Sequence, residues 1–244
     1  MHSTFPARAV ILAAGDGGRL GGRTVALAKP LLPLNGRPII SYTLEALALT
    51  GIREVVVVTG YREAQVRAAL AEDHGDLALT FVSNPRFEGG ASRSLAATRQ
   101  VCGDNPFLLL MADHVLSGAL VRRLLRAFAA DPAQCYVAAD ASHRDPLFTA
   151  EATKLALAGD GTSRVTAIGK SLASWQTLDA GAFALTAAVW GAADAVPEDC
   201  ELSVIMAELA HRHLLYAADV SGAAWYDIDT EDDLVAASAM LGAL

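Results

Sequence analysis

Three observations predict a three-layer α/β/α, Rossmann-like fold with a mostly parallel sheet and a small antiparallel lid. Short apolar runs alternate with helical patterns from residue 8 to about residue 140, and strands separated by helices run parallel with helices on both faces. The first run, "RAVILAA", ends in the glycine-rich stretch "GDGGRL", so a tight loop leaves the carboxyl edge of the first strand. After about residue 145 the pattern changes to two alternating runs around Gly159-Asp160-Gly161, a hairpin signal and the basis for the lid.

The elements follow in order. "RAVILAA" is a continuous apolar strand, "ISYTLEALALTG" a helix closed by Gly51, and "REVVVVTG" a β-branched strand buried on both faces. "REAQVRAALAED" is helical, "LALTFVS" a strand, "SRSLAATRQVC" one helix and "PFLLLMAD" a buried strand. The helix "ALVRRLLRAFAA" and the strand "QCYVAAD" complete the alternating half. Beyond the hairpin "FTAEATKLALAGDGTSRVTAIGK" come the strand "AGAFALT", the helix "CELSVIMAELAHRH", the strand "LLYAADV", the segment "AAWYDID" and a closing helix from Thr230.

Length and composition narrow the function. The 244 residues suffice for one large core, and a single domain over residues 1–244 is expected, with halves of about 1–145 and 146–244. No apolar stretch reaches the roughly 18 residues a spanning helix needs, so membrane insertion is not expected. Three widely spaced cysteines, Cys102, Cys135 and Cys200, form neither a disulfide framework nor a zinc pattern, which fits a reducing cytoplasm. A net charge of −8 argues against a nucleic-acid surface. Positive charge is nevertheless concentrated near the glycine loop, where Arg8, Arg19, Arg23, Lys29 and Arg37 face only Asp16 within residues 1–38.

A glycine loop at the end of a parallel strand exposes backbone N–H groups where α/β folds bind ligands, and glycine lets that backbone touch a polyphosphate. The dinucleotide pattern fails because Leu20 stands where its third glycine is required, and no Walker-type loop exists. The stretch "LAAGDGGRL" followed by "KPLLPLNGRPII" resembles the N-terminal motif of the nucleotidyltransferases that make NDP-sugars and NDP-alcohols. The resemblance implies their GT-A-like fold, with the first half binding nucleotide, and assigns Leu12, Ala13, Ala14, Gly15, Gly17 and Gly18 to the triphosphate. It gives Arg19 and Lys29 to the leaving pyrophosphate. Ala28 and "GGRTVA" depart from the usual family pattern.

Two strand ends carry carboxylates, Asp113 in "FLLLMADHV" and Asp227 with Asp229 in "WYDIDTEDDL". Carboxylates at that edge suit a hard cation, and the resemblance assigns Mg²⁺ to Asp113 and Asp227. Asp229 is then expected to cap the closing helix. His114 is expected to pack and not to act. In "NPRFEGGASRSLAAT" the resemblance gives base reading to Asn84, Gly89, Gly90, Ala91 and Ser92, with a helix N-cap at Ser92 an equal alternative.

The lid stretches "EATKLAL", "AIGKSL" and "DAGAFAL", together with "ADHV" and "WYDIDTEDDL", resemble the inositol-1-phosphate cytidylyltransferases over about residues 8–240. That likeness implies that Lys170 holds the acceptor phosphate, that Glu151 and Lys154 contact substrate or orient the lid, and that Asp179 and Gly181 face the polyol. Lys29, Lys154 and Lys170 are the three lysines of the chain, against 16 arginines, and each falls inside one of these motifs. The implied partners are CTP and a phosphorylated polyol or sugar, with a separate membrane synthase as consumer of the product. The implied reaction is in-line attack of the acceptor phosphate on the α-phosphorus of CTP. A sugar-1-phosphate or molybdenum cofactor nucleotidyltransferase, and a non-catalytic nucleotide-sensing subunit on the same fold, remain the alternatives.

Overall fold

The computed structural model describes residues 5–20, 22–72, 74–142 and 146–242. The first half contains β1 (Arg8–Ala13), α1 (Gly22–Ala26), the two-residue strands β2 (Pro33–Leu34) and β3 (Arg37–Pro38), α2 (Ile39–Ala48), β4 (Glu54–Thr59), α3 (Glu63–Glu72) and β5 (Ala78–Ser83). It continues with α4 (Ala91–Ala97), α5 (Arg99–Cys102), β6 (Phe107–Met111), β7 (His114–Leu116), α6 (Gly118–Ala130) and β8 (Cys135–Asp140). The second half contains α7 (Pro146–Glu151), β9 (Lys154–Leu157), β10 (Val165–Gly169), β11 (Thr177–Leu185), α8 (Ala188–Ala193), α9 (Leu202–His211), β12 (Leu215–Asp219), β13 (Trp225–Asp227) and α10 (Glu231–Gly242).

One nine-stranded sheet runs in the order β10-β9-β11-β6-β1-β4-β5, with β8 on β11 and β12 on β8. The β6-β1-β4-β5 part is parallel, and β11 joins β6 antiparallel. Alternate residues of β1 enter opposite cores: Ala9, Ile11 and Ala13 pack towards α2, α3 and α6, while Val10 and Leu12 pack with Leu95 of α4, Val189 of α8 and Met206 of α9. A strand covered on both faces is therefore apolar throughout, which is why no alternation is visible in its sequence.

Three local differences from the sequence pattern have physical causes. The expected single helix over 92–102 divides at Thr98, whose hydroxyl donates to the carbonyl of Leu95 at 2.7 Å. A short helix, α7, precedes the hairpin, opened by Pro146, whose fixed φ suits a first helical turn. The hairpin β9–β10 extends the main sheet through β11 and forms no separate layer.

Two features direct side chains towards one edge. β7 and β13 pair antiparallel with Asp227 opposite His114, which brings the two carboxylate-bearing strand ends together. β11 is irregular between Asp179 and Phe183, where Gly181 adopts φ +70°. A Cβ there would lie 2.3 Å from the His114 ring, so only glycine admits that ring.

The buried Asp140 carboxylate at the end of β8 accepts the Trp225 indole N–H at 2.8 Å and the Ser142 N–H at 2.7 Å. Asp140→Ala removes a buried acceptor from the Trp225 indole and the Ser142 N–H, and urea denaturation is expected to show a loss of about 1–3 kcal/mol.

Candidate active site

The glycine loop forms the wall of a cavity of about 360 Å³ at the carboxyl edge of β1 and β6. Gly15, Gly17 and Gly18 line it with Leu12, Ala13, Lys29, Asp113 and Asp229. Gly17 adopts φ +67°, and a Cβ would approach Lys29 Cβ to 2.8 Å, so the loop closes over the lysine only as glycine. Ala14 is buried in the core with its carbonyl accepting from Tyr61 N–H, and it does not line the cavity. The side chain of Arg19 lies outside the described part of the structure.

Lys29 is buried, and its ammonium donates to Asp113 Oδ2 at 2.9 Å and Asp229 Oδ1 at 2.8 Å. Burial alone would lower its pKa, but the two carboxylates override that effect and hold it well above the ordinary lysine value. Burial likewise works against ionised Asp113, and Lys29 and His114 together hold its carboxyl far below the usual range. The expectation that Asp229 caps the last helix is corrected here. Thr230 and Asp233 cap α10 reciprocally, Asp233 N–H donating to Thr230 Oγ1 and Thr230 N–H to Asp233 Oδ2, while Asp229 binds Lys29.

A second cavity of about 530 Å³ adjoins the first, lined by Lys170, Asp179, Gly181, Phe148, Trp225, Asp227, His114 and the start of α9. Phe148 stands edge-on to Trp225 at 5.3 Å and to Tyr226 at 4.9 Å, giving this cavity an aromatic wall. Asp179 Oδ1 accepts the Gly181 N–H at 2.8 Å. Burial, with Asp227 nearby, pushes its carboxyl up to about 7.

Asp113, His114 and Asp227 lie where the two cavities meet, each offering one ligand atom within 4.8 Å of the others. His114 Nδ1 is 2.8 Å from Asp113 Oδ1 and 3.6 Å from Asp227 Oδ1. Asp227 Oδ1 is buried without a hydrogen-bond partner among the described residues. An orphaned carboxylate oxygen beside a second carboxylate is what a hard divalent cation requires, so Asp113 and Asp227 fit Mg²⁺.

The remaining expected residues lie elsewhere. Asn84 donates to Ser94 Oγ and accepts from Arg86 N–H, so both ends of its amide are engaged within the protein. Ser92 lies in the first turn of α4, capping nothing there; Gly90 occupies the N-cap. Its hydroxyl donates to Glu198 O at 2.5 Å and accepts Cys200 N–H at 3.0 Å. Gly90 abuts the Cys200 carbonyl, Gly89 abuts Arg93 and Asp199, and Ala91 reaches the second cavity. Lys154 is turned into the lid, donating to the carbonyls of Ala150, Ala152 and Lys170, and does not line the second cavity. Glu151 lines a separate cleft with Tyr226, Asp229 and Asp232. Glu201, Ser203, Phe148 and Trp225 belong to the second cavity although the sequence pattern did not single them out, and His114, expected only to pack, is buried but also lines it. No local signal marks Glu201 or Ser203, which stand at the start of a largely apolar helix.

Burial would lower the His114 pKa, but Asp227 and Asp113 reverse the sign and raise it from 6.5 to about 9. A raised value means that its stabilisation is full below about pH 6.5 and is lost as pH rises through about 9. Asp179 and Asp227, the latter pushed up to about 6 by burial, act in the same direction because both favour the fold when protonated. The melting temperature of the metal-free protein is expected to fall as pH rises from about 4 to about 9, through Asp227 and Asp179 below about pH 7 and through His114 between about pH 6.5 and 9, and His114→Asn to flatten that upper part.

Comparison with known proteins agrees with this geometry. A family model described as a MobA-like NTP transferase domain matches residues 9–199. A bifunctional IPC transferase and DIPP synthase of Thermococcus kodakarensis is 32% identical over 239 residues, which is 97% of this chain and 51% of that protein. The protein of the same description from Archaeoglobus fulgidus is 34% identical over 231 residues, 93% of this chain and 42% of that one. The chain thus spans about half the length of the curated relatives it matches. Among solved structures, the inositol-1-phosphate CTP transferase from T. maritima superposes with a TM-score of 0.86 at 20% identity, covering 99% of this chain and 97% of that one. A UDP-glucose pyrophosphorylase complexed with UDP-glucose gives 0.84 at 15% identity, covering 98% and 99%. These two likenesses establish the fold, and the family match over most of the sequence shows that the chain belongs to the MobA-like NTP transferase family.

Proposed function

We propose that the protein transfers CMP from CTP to inositol-1-phosphate, releasing pyrophosphate and forming CDP-inositol. The observation that carries this reading is the junction of the two cavities at Asp113 and Asp227. A glycine-lined cavity suited to a triphosphate and a second cavity with one lysine and several hydroxyl-binding groups meet at a pair of carboxylates. Relatives matched over most of this chain carry the description bifunctional IPC transferase and DIPP synthase, and the inositol-1-phosphate CTP transferase from T. maritima shares the fold; both support inositol-1-phosphate as the acceptor.

In this mechanism an oxygen of the acceptor phosphate attacks the α-phosphorus of CTP, and the bond from that phosphorus to the pyrophosphate oxygen breaks. No general base is needed, because a phosphate monoester has a second pKa of about 6 and is already ionised. The obstacle is repulsion between two polyanions, so the chain supplies positioning and positive charge. Gly15, Gly17 and Gly18 offer backbone N–H groups to the triphosphate. Lys29 donates two of its three N–H groups to carboxylates and keeps one for phosphate. Arg19 adds charge on the leaving group and Lys170 orients the acceptor phosphate. Bound Mg²⁺, held by Asp113 and Asp227, supplies neutralisation of charge on the phosphates. A cytoplasmic setting accords with the three free cysteines.

The test is pyrophosphate release with Mg²⁺, crossing CTP, UTP, GTP, dTTP and ATP with inositol-1-phosphate, glucose-1-phosphate and no acceptor. Release that needs both CTP and inositol-1-phosphate is expected; release with a different pair overturns the substrate, and the absence of release with any pair overturns the enzymatic reading. Lys29→Met is expected to lower kcat/KM by about 10²–10³-fold. Lys170→Ala is expected to raise KM for the acceptor about tenfold and leave KM for CTP within about twofold, because it removes one charge-assisted contact from one subsite. Equal effects of Lys170→Ala on both KM values would refute that division.

A further inference from the structure

Three carboxylates, Asp179, Glu201 and Asp227, line the second cavity. Carboxylates repel a phosphate ester, so their presence there calls for another partner. Asp227 faces Asp113 and the cation site, whereas Asp179 and Glu201 stand on other walls, one on β11 and one ahead of α9. Glu201 occupies the N-cap position of α9 but makes no side-chain cap, and among the described residues its carboxylate has no hydrogen bond or ion pair. Ser203, two residues on, lines the same cavity.

The segment that carries Glu201 is fastened firmly. Cys200 N–H donates to Ser92 Oγ at 3.0 Å, Ser92 N–H donates to Cys200 O at 3.2 Å, and Ser92 Oγ donates to Glu198 O at 2.5 Å. Arg93 adds ion pairs to Glu198, at 3.1 Å, and to Asp199. Gly90 lies so close to the Cys200 carbonyl that a Cβ would come within 2.5 Å. A free carboxylate on a rigid base, turned away from its own helix cap and bordering a cavity, is arranged to accept a hydrogen bond from a ligand.

We propose that Glu201 is a specificity-determining residue, accepting a ring hydroxyl of the acceptor, and that Ser92 is the positioning residue that holds it. The ligand class is a phosphate ester bearing several hydroxyls, one directed at the start of α9. The inference rests on the reading of the second cavity as the acceptor subsite. Glu201 is exposed at the cavity rim, so it discriminates through the charge-assisted hydrogen bond that an analogue lacking the hydroxyl does not make.

The experiment is calorimetric titration of the whole protein with Mg²⁺ and a non-hydrolysable CTP analogue. The probes are inositol-1-phosphate, glucose-1-phosphate and cyclohexyl phosphate, which keeps the six-membered ring and the phosphate but has no hydroxyls. Glu201→Ala is expected to weaken inositol-1-phosphate binding about tenfold or more, and Glu201→Gln to weaken it less, while both leave cyclohexyl phosphate within about twofold. Ser92→Ala is expected to raise KM for the acceptor and leave KM for CTP unchanged. An equal loss for hydroxylated and hydroxyl-free probes, no loss for either, or wild-type preference for cyclohexyl phosphate overturns the proposal. A Glu201-dependent loss confined to glucose-1-phosphate keeps the residue's role and removes inositol as the substrate, and a Glu201-dependent loss for inositol-1-phosphate without pyrophosphate release keeps the role and removes cytidylyl transfer.

Discussion

The ammonium of Lys29, held between Asp113 and Asp229, is the contact on which the rest of the site depends. It joins three segments that are 84 and 200 positions apart in sequence: the stretch after the glycine loop, the end of the β6 strand, and the turn before the last helix. A buried lysine without partners would lose its proton or unfold its surroundings, and removing one member of a buried pair typically costs about 3–5 kcal/mol. With two carboxylates the charge is retained, and its position is defined by both. Gly17 is shaped to the same requirement, since the loop passes close enough to Lys29 Cβ to exclude any side chain.

From that anchor the geometry of the edge follows. The short β7–β13 pairing places Asp227 opposite His114, next to Asp113, so that the far end of the chain completes a site begun at the end of β6. His114 occupies the space between the two carboxylates and is admitted by Gly181, whose left-handed backbone coincides with the irregularity in β11. Burial, helped by the neighbouring carboxylates, raises Asp227 and Asp179, and Asp227 with Asp113 holds His114 protonated against its own burial. Asp227 Oδ1 makes no hydrogen bond among the described residues, and it marks where a cation would add to the long His114 contact.

The two cavities also share a mechanical connection. Ser92 and Arg93 tie the loop after β5 to the segment before α9, so a loop expected to serve the base is also the support of the neighbouring cavity. Lys154 plays a comparable part in the lid, where its ammonium gathers three carbonyls including that of Lys170. Both residues carry groups typical of ligand contact and spend them on backbone.

Periodicity and glycine placement were enough to determine the alternating strands and helices, the parallel core, the hairpin around Gly159–Gly161 and the tight glycine loop after the first strand, because these are written in the local pattern of residue types. Asp113 and Asp227 were legible for the same reason, each closing an apolar run. What only the tertiary structure decided is the direction of individual side chains across long separations. Asp229 looks like a helix cap in sequence, yet it binds a lysine 200 positions away, because Thr230 and Asp233 already satisfy the helix end. Glu201 shows no local pattern, since its environment is made by α4, β11 and the lid, and Lys154 and Lys170 lie in equally suggestive motifs while the sheet turns one inward and leaves the other facing the cavity. Residue type sets which chemistry is available, and the packing of distant segments sets which groups remain free to use it.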